Sequence, residues 1–350
     1  MPLLTISALQ KRFNLEAGFF ARYGRFVHAV NGISFAIEKN ETYGLVGESG
    51  CGKTTTARLI VRMYEPDGGN VLFHRENGEV DVGTLHSEEL RLYRQKVKYV
   101  FQDPARSLNP RMSVCDVLIS GLRHSAQGTH QGTKQLKEKA AAILEEVGLS
   151  AADLDKRPSE FSGGQRQRIS IARSLLPQPE LLICDEVVSA LDVSVQCQIL
   201  NLLLDIRERR IGEQKTMSFL FIAHDLKVAC YFCDRIGVMY SGELVEEAPA
   251  ADLWKEGRHP YTKMLFSSAT GLRGLSLNKQ LSRNFTTNDT NHHEQPKNAE
   301  VQIRGHTISQ TSHHCAFAPR CQQASERCFS EPPPLVQVAD GHTIRCHNCQ

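Results

Sequence analysis

Residues 47–55, GESGCGKTT, form the most specific phosphate-binding pattern in the chain. Glycines let backbone N–H groups turn toward phosphates, Lys53 can reach the β- and γ-phosphates, and the Thr54 hydroxyl can hold Mg²⁺. The loop follows an apolar strand and opens a helical stretch, which is the context this motif requires. We expect its residues to bind a nucleoside triphosphate: Gly47, Glu48, Ser49, Gly50, Cys51, Gly52, Lys53, Thr54 and Thr55.

A pair of carboxylates, Asp185 and Glu186, ends the apolar run that starts at Leu181. In a parallel sheet this places them at the carboxyl edge, where ligands bind in such folds. One carboxylate can hold Mg²⁺ through water, and the other can act as a general base on the attacking water. Taken alone, the pair would more often be a solvated strand end, because acidic pairs are common on surfaces.

The segment FSGGQ, residues 161–165, predicts a second phosphate site. Ser162 is a good N-cap, while Gly163 and Gly164 let a phosphate approach the helix N-terminus at Gln165. Taken alone, this is an ordinary capped helix. However, the chain already has one phosphate loop, so a second phosphate site implies a second molecule.

The order of these motifs resembles that of the ATP-binding cassette (ABC) proteins, over about residues 4–270. The resemblance implies that two cassettes pair head to tail and that each SGGQ closes over the partner's ATP. It also implies that Gln102 in FQDP touches Mg²⁺ and water, and that Asp192 in SALD belongs to the D-loop. His224 after the strand MSFLFIA would contact the γ-phosphate, although a lone histidine is more often structural.

The catalytic residues that this resemblance implies are Glu186, His224 and Gln102, and the Mg²⁺ ligands are Thr54, Gln102 and Asp185. Two positions depart from the family pattern. Phe161 replaces the commoner leucine, and Val187 replaces a proline, which removes a fixed φ but no chemical group. Phe13 best matches the aromatic that stacks on adenine, with Tyr23 and Phe26 as rivals.

The segment HPYT, residues 259–262, resembles a mark of the oligopeptide/dipeptide and nickel importer ATPases. FQDPARSLNPRM and FIAHDL match the same subfamily, nearest to the F-type subunit of an oligopeptide permease. Taken alone, HPYT would be a helix start with proline in its first turn. The resemblance implies ATP-driven import of peptides, with nickel as the nearest rival. The implied partners are a second homologous ATPase subunit in a heterodimer, two transmembrane permease subunits and an extracytoplasmic solute-binding protein.

Five of the eleven cysteines fall between Cys315 and Cys349. In a cytosolic protein such clustering points to metal rather than to disulfides. Cys315, Cys321, Cys328 and Cys346 resemble the set that follows HPYT in this subfamily, and four thiolates suit a [4Fe–4S] cluster or zinc. The spacings lack Cys-x2-Cys pairs, which favours the [4Fe–4S] cluster. Unligated thiols remain an alternative, and the candidate substitute ligands are Cys349, His342 and His347.

Two other functions compete with transport. A soluble ABC ATPase of translation or DNA maintenance usually carries tandem cassettes or a long coiled coil, and the sequence predicts neither. In the second alternative, a redox-sensing regulator, the cysteine segment would matter more than ATP turnover. Iron content and activity after anaerobic purification separate that regulator from a transport motor.

The amino-acid composition limits the classes of protein to which this chain can belong. The 350 residues are 41% hydrophobic and 23% charged, which is typical of a globular protein, and the net charge of +2 suggests no nucleic-acid partner. We find no signal-peptide pattern. The longest apolar run, Phe219–Ala223, is far shorter than the roughly 20 residues that span a bilayer. We therefore expect a peripheral protein on the cytoplasmic face of the inner membrane, attached only through its permease.

The elements that must position these residues alternate between strand and helix, which predicts an α/β fold with a largely parallel sheet. The resemblance implies a P-loop NTPase cassette with a RecA-like core sheet, an antiparallel β subdomain and a helical subdomain. We expect the cassette at residues 1–270, its helical subdomain at about 113–175, a flexible linker at 271–311 and a small Cys-rich module at 312–350. The predicted central elements are strands Tyr43–Val46, Val97–Phe101, Leu181–Asp185 and Met217–Ala223, and helices Thr54–Tyr64, Leu136–Val147, Gln165–Leu175 and Val195–Glu208.

Overall fold

The structure is a computed structural model that describes residues 1–14, 26–75, 78–123, 132–268 and 314–349. Its strands, in chain order, are β1 (Pro2–Asn14), β2 (Phe26–Glu38), β3 (Thr42–Val46), β4 (Gly68–Arg75), β5 (Gly78–Asp81), β6 (Val97–Val100), β7 (Leu181–Asp185), β8 (Ser218–Ala223), β9 (Arg235–Tyr240), β10 (Glu243–Pro249), β11 (Leu335–Ala339) and β12 (His342–Arg345). They form two sheets within the described ranges.

The larger sheet positions the nucleotide motifs. Its strand order is β11-β12-β10-β9-β3-β8-β7-β6, and the five strands from β9 to β6 run parallel. Every residue of β3, β7 and β8 is buried. These three strands are continuous apolar runs in the sequence because helices and the second sheet cover both of their faces. The α/β fold predicted from the sequence is confirmed.

The smaller sheet is antiparallel, with the strand order β2-β1-β4-β5. It corresponds to the expected antiparallel β subdomain. Its buried residues, such as Leu4, Ile33 and Phe73, pack with residues of the larger sheet in one apolar cluster. The insertion predicted between Asn14 and Val27 has only its two ends among the described residues, because residues 15–25 lie outside them.

The helices, in chain order, are α1 (Lys53–Ile60), α2 (Ser87–Lys96), α3 (Pro104–Ser107), α4 (Val114–Arg123), α5 (Thr133–Glu146), α6 (Gly163–Leu175), α7 (Val193–Gly212), α8 (Leu226–Phe232), α9 (Ala250–Glu256), α10 (Pro260–Ser268) and α11 (Glu326–Ser330). Helices α4 to α6 occupy the range predicted for the helical subdomain. Their apolar faces meet through residues such as Leu118, Leu144 and Ile169.

The small Cys-rich module expected at residues 312–350 is not confirmed, because the strands described in this range join the larger sheet. Strand β12 pairs antiparallel with β10, and β11 pairs with β12, so both strands extend the larger sheet. The buried His342 Nε2 lies 2.8 Å from the carboxylate of the buried Glu246 on β10, which fixes the added strand to the sheet. The predicted linker, residues 271–311, lies outside the described residues.

Candidate nucleotide site

The phosphate loop connects the end of β3 to the start of α1, and two of its glycines are required by close packing. A Cβ on Gly47 would lie 2.1 Å from the Met239 carbonyl oxygen. Gly52 has φ +111°, and a Cβ there would lie 2.0 Å from the Ala29 carbonyl oxygen. A side chain fits at neither position, so the backbone of the loop can follow this path only with glycine.

Lys53 begins α1 and is buried. Its Nζ donates hydrogen bonds to the carbonyl oxygens of Gly47, at 2.7 Å, and Glu48, at 2.9 Å. The sulfur of Cys51 lies 3.7 Å from the same Nζ. The ammonium group is therefore held inside the loop, where it can turn to a phosphate.

Thr54 and Asp185 meet at the carboxyl edge of the larger sheet. Thr54 Oγ1 donates to Asp185 Oδ1 at 3.1 Å, and the Tyr99 hydroxyl donates to Asp185 Oδ2. Burial and the neighbouring Asp185 raise the pKa of Tyr99, so its hydroxyl stays a donor. A hydroxyl and a carboxylate together are the hard oxygen ligands that Mg²⁺ prefers, so these residues fit the expected ion.

Glu186 directly follows β7, and its backbone conformation is unusual. Its φ is +49°, which is uncommon for a residue with a side chain, and its N–H donates to the Ile222 carbonyl on β8 at 3.1 Å. Gln102 Nε2 donates to Glu186 Oε2 at 2.7 Å. The end of β6 and the end of β7 thus bring these two predicted catalytic residues into direct contact.

His224 lies at the same edge of the sheet. It follows β8 directly and is exposed. Strands β7 and β8 are paired in parallel with Asp185 opposite Ile222, so His224 comes two residues beyond that pair. The third predicted catalytic residue therefore belongs to the same cluster of strand ends as Asp185 and Glu186.

The SGGQ helix N-terminus is exposed at its first residues, with Ser162, Gly163 and Gln165 open to solvent. Ser162 Oγ accepts from the Gln165 N–H at 3.3 Å, and Gln165 Oε1 accepts from the Ser162 N–H at 2.9 Å. This capping box satisfies two backbone donors and fixes the start of α6. A Cβ on Gly164 would lie 2.8 Å from Val195 Cγ1 on α7, so glycine allows the two helices to approach.

The segment between Glu186 and α7 contains Ser189 and the expected D-loop residue Asp192. Ser189 donates from its hydroxyl to the Glu186 carbonyl at 2.9 Å, and Asp192 is the exposed N-cap residue of α7. Its side chain makes no capping hydrogen bond. Phe161 and Val187, the two departures from the family pattern, are both buried as apolar packing residues.

The aromatic residues proposed for adenine have different environments. Phe13 packs edge-on against Tyr64, with ring centroids 5.4 Å apart, and Lys11 lies over its ring. Phe26 is exposed and lies beside the Arg12 guanidinium. Tyr23 lies outside the described residues. The assignment of Phe13 to adenine stays a prediction.

Three contacts at the site were missed by the sequence analysis. Tyr99 holds Asp185, the hydroxyl of Tyr261 accepts from the Glu48 N–H at 2.8 Å, and Arg320 forms an ion pair with Glu48. Tyr99 could have been found, because it precedes Gln102 by three residues on a strand that ends at the site. Tyr261 lies in HPYT, but no sequence pattern indicated its contact with the phosphate loop. No sequence pattern indicated the contact of Arg320 either.

The C-terminal cysteines are all free thiols. The Cys315 N–H donates to the Cys328 carbonyl at 2.9 Å. Burial raises the pKa of Cys315 and Cys321, and nearby Cys328 and Cys346 raise it further, so the four thiols lie near one another. Within the described ranges, however, no group of three or more His, Cys, Asp or Glu residues is placed to hold a metal ion. The expected [4Fe–4S] site is therefore not preformed in this arrangement.

In the part of the chain that the structure describes, no helix has both the length and the apolar character needed to cross a membrane.

Comparisons with known proteins give matches along almost the whole chain. Residues 30–189 match the family model described as ABC transporter, and residues 245–328 match the one described as oligopeptide/dipeptide transporter, C-terminal region. The chain is 39% identical to a probable peptide ABC transporter ATP-binding protein, y4tS, of Sinorhizobium fredii, over 99% of this chain and 89% of that protein.

Other relatives have similar names. The oligopeptide transport ATP-binding protein OppF of Bacillus subtilis is 47% identical over 76% of this chain and 82% of its own length. The dipeptide transport ATP-binding protein DppF of Haemophilus influenzae is 38% identical over 99% of this chain and 96% of its own. Among solved structures, a dimeric ATP-binding cassette in a post-hydrolysis state with ADP and Pi, MJ0796, matches with a TM-score of 0.59 and 25% identity, covering 71% of this chain and 98% of that one.

Proposed function

The chain belongs to the ATP-binding proteins of the ABC transporter family, and from this premise we propose that it drives the import of oligopeptides or dipeptides through a membrane permease. The reaction is ATP hydrolysis, with Mg²⁺ as the metal ion. The observation that carries the peptide assignment is the match of residues 245–328 to the C-terminal region of oligopeptide/dipeptide transporters. Names of relatives such as OppF and DppF support it.

The geometry suggests how this chain would act on ATP. Lys53 releases the Gly47 and Glu48 carbonyls and binds the β- and γ-phosphates. Thr54 and Asp185 would hold Mg²⁺, which supplies charge neutralisation on the phosphates when bound. Phosphoryl transfer is catalysed mainly by positioning and electrostatics, so a fixed lysine and a fixed carboxylate are what the reaction requires.

Glu186 would accept the proton of the attacking water. Gln102 holds one of its carboxylate oxygens, which leaves the second oxygen for the water. A general base of this kind contributes typically 10²–10⁴-fold to the rate. His224, at the same sheet edge, would contact the γ-phosphate, and together these residues form one half of a hydrolytic site.

The other half of the site would come from a second, homologous ATPase subunit. The exposure of Ser162, Gly163 and Gln165 supports this, because a helix N-terminus that is open to solvent can bind an anion. The match to a dimeric ATP-binding cassette also supports pairing. We propose a heterodimer on the cytoplasmic face of the inner membrane, attached through two permease subunits and supplied by an extracytoplasmic solute-binding protein.

Reconstitution tests the proposed function. The chain is assembled with its permease subunits, second ATPase subunit and binding protein in vesicles, and ATP-dependent uptake of a labelled peptide and of radioactive nickel is measured in parallel. We expect peptide uptake that is lost in the matched Glu186→Gln complex. Nickel uptake without peptide uptake would contradict the peptide assignment, and uptake of neither solute would contradict an importer of either kind.

We also propose Cys315, Cys321, Cys328 and Cys346 as the ligands of a [4Fe–4S] cluster, with zinc as the alternative. What supports the proposal is that Cys328 and Cys346 lie near enough to Cys315 and Cys321 to raise the pKa of those two thiols. Among the described residues no group of side chains is already arranged to hold a metal ion. Binding of a cluster or of zinc would therefore need the cysteine side chains to turn toward one another. Anaerobic purification followed by a visible spectrum and iron and zinc assays tests it. A colourless protein free of both metals contradicts it.

A further inference from the structure

An ion pair joins the phosphate loop to the C-terminal segment, residues 314–349. Arg320 Nη1 donates to Glu48 Oε2 at 2.7 Å, and Nη2 donates to Oε1 at 2.8 Å. This is the parallel two-bond geometry in which an arginine recognises a carboxylate. The hydrogen bonds from Arg320 lower the pKa of Glu48, so its carboxylate is charged at neutral pH.

Arg320 is held in place by an aromatic cluster. Phe317, three residues earlier, is buried against the rings of Tyr240, Tyr261 and His259, with centroids 5.2, 5.4 and 5.7 Å away. The Arg320 guanidinium itself lies 5.8 Å from the Tyr240 ring centroid. The segment thus packs against the cassette beside HPYT. Because Phe317 is buried there, the Arg320 side chain extends to the phosphate loop from a fixed backbone position.

Glu48 is held at three points. Arg320 binds its carboxylate, the Tyr261 hydroxyl accepts from its N–H at 2.8 Å, and its carbonyl accepts from Lys53 Nζ at 2.9 Å. A carboxylate in a phosphate loop opposes the approach of a triphosphate, because like charges repel. Arg320 offsets this charge and at the same time fixes the residue whose carbonyl holds Lys53.

We propose that Arg320 is a positioning residue for ATP binding, which acts by neutralising and orienting Glu48 in the phosphate loop. The inference rests on ATP binding by this family and does not depend on the identity of the transported solute. It gives the C-terminal segment a role at the nucleotide site in addition to its place at the sheet edge.

The test measures ATP hydrolysis by the assembled complex, in which this chain is paired with its second ATPase subunit and its permease subunits, and compares three variants of this chain. Arg320→Met should raise the KM for ATP about threefold to fivefold, the upper part of the range for exposed ion pairs because the geometry is bidentate, and should leave kcat nearly unchanged. Adding Glu48→Gln to Arg320→Met should return KM most of the way to the starting value, because no unpaired carboxylate then remains. Arg320→Lys keeps the charge but loses the paired geometry, and its KM should lie between those of the wild-type chain and Arg320→Met.

Arg327→Met is the matched control, because Arg327 forms an exposed ion pair with Glu331 within the same segment. Its KM should equal that of the unchanged chain. A KM that stays unchanged in Arg320→Met would overturn the proposal. So would an increase that Glu48→Gln fails to reverse, since Arg320 would then act only on the fold of its segment. If Arg320→Met does not fold, Arg320→Lys decides the question, and a KM equal to that of the unchanged chain counts against the proposal.

Discussion

At the residue scale, Glu186, the proposed general base, has an unusual backbone conformation. Its φ of +49° costs energy for a residue with a side chain, and such strain persists where surrounding contacts over-determine it. The contacts here are the bond from its N–H to Ile222, the bond from the Ser189 hydroxyl to its carbonyl and the Gln102 amide on its carboxylate. Together they turn its side chain away from the strand direction and fix it at the sheet edge.

Replacing Glu186 with Gln should lower ATP hydrolysis in the assembled complex by about 10²–10⁴-fold, because an amide cannot accept the water proton. ATP binding should remain, since the Gln carbonyl can still accept from Gln102. Phosphate release and nucleotide binding measure the two effects separately. Glu138→Gln, on the exposed face of α5, is the control and should hydrolyse ATP normally. Unchanged hydrolysis in Glu186→Gln would remove Glu186 from the general-base role.

The sequence could predict residues whose roles follow from local spacing. Lys53 and Thr54 follow from the loop pattern, and Asp185 follows from its position at the end of a buried strand. Arg320 could not be predicted, because its partner Glu48 is 272 residues away and tertiary contacts such as the packing of Phe317 bring them together. Val187 departs from the family pattern, and its buried side chain contributes apolar packing at that position.

At the element scale, the phosphate loop depends on the contact between α1 and the smaller sheet. Gly52 is the N-cap residue of α1, and Ala29 on β2 lies directly against it. The sheet therefore forms one wall of the loop and limits what the N-cap residue can be. This coupling explains why the antiparallel subdomain matters to a site made mainly by the parallel strands.

Gly52→Ala should destabilise the protein by about 1–3 kcal/mol, because φ of +111° is strained for alanine and the new Cβ meets the Ala29 carbonyl. It should also weaken ATP binding. Gly121→Ala on α4 is the control, since no atom lies within 4 Å of the added Cβ, and it should stabilise by about 0.5–1 kcal/mol. Urea midpoints and nucleotide titrations measure both. Equal midpoints for the two variants would contradict the argument.

The sequence predicted whether an element is a helix or a strand where the hydrophobic pattern was long and regular. It predicted the residues at which elements end less well. Strand β7 has the predicted bounds, whereas α1 ends at Ile60 and not at Tyr64. Arg62 takes φ +57°, and the N–H groups of Met63 and Tyr64 both return to the Arg58 carbonyl, which closes the helix. The pairing of β12 with β10 had no local signal, because it joins residues almost a hundred positions apart.

At the scale of the whole molecule, a buried polar network joins the C-terminal hairpin to the cassette. Glu246 accepts from the backbone N–H groups of Arg258, at 2.8 Å, and His259, at 3.0 Å, and its carboxylate also contacts His342. All three side chains in the centre of this network, Glu246, His259 and His342, are buried. The HPYT segment therefore has a structural role in this chain, which its use as a family mark does not reveal.

This network makes stability depend on pH through His259. Burial lowers the pKa of His259 to about 4, from a value near 6.5 in the unfolded chain. The unfolded state therefore binds a proton below about pH 6.5 that the folded state takes up only near pH 4. Stability should fall with decreasing pH in this window, by up to about 1.4 kcal/mol per pH unit.

His259→Asn should reduce this pH dependence, because the Asn carbonyl can accept the Tyr261 N–H that Nδ1 now accepts at 3.1 Å, without titrating. Urea unfolding at about pH 7 and about pH 5 measures the slope. His86→Asn, at an exposed helix start, should keep the slope of the unchanged chain. An identical slope in His259→Asn would show that other groups carry the pH dependence.

The pairing of β10 with β12 also sets an order of events during synthesis. The last strand of the cassette, β10, is made almost a hundred residues before its partner β12, with Glu246 opposite Ile344. At about 5–20 residues per second, the ribosome delivers β12 some 5–20 s after β10. During that interval the nascent sheet has an open edge, which is the feature that recruits strands of other chains. The pairing of β12 with β10 covers that edge, and truncation before β12 should leave it open and make the protein more prone to aggregate.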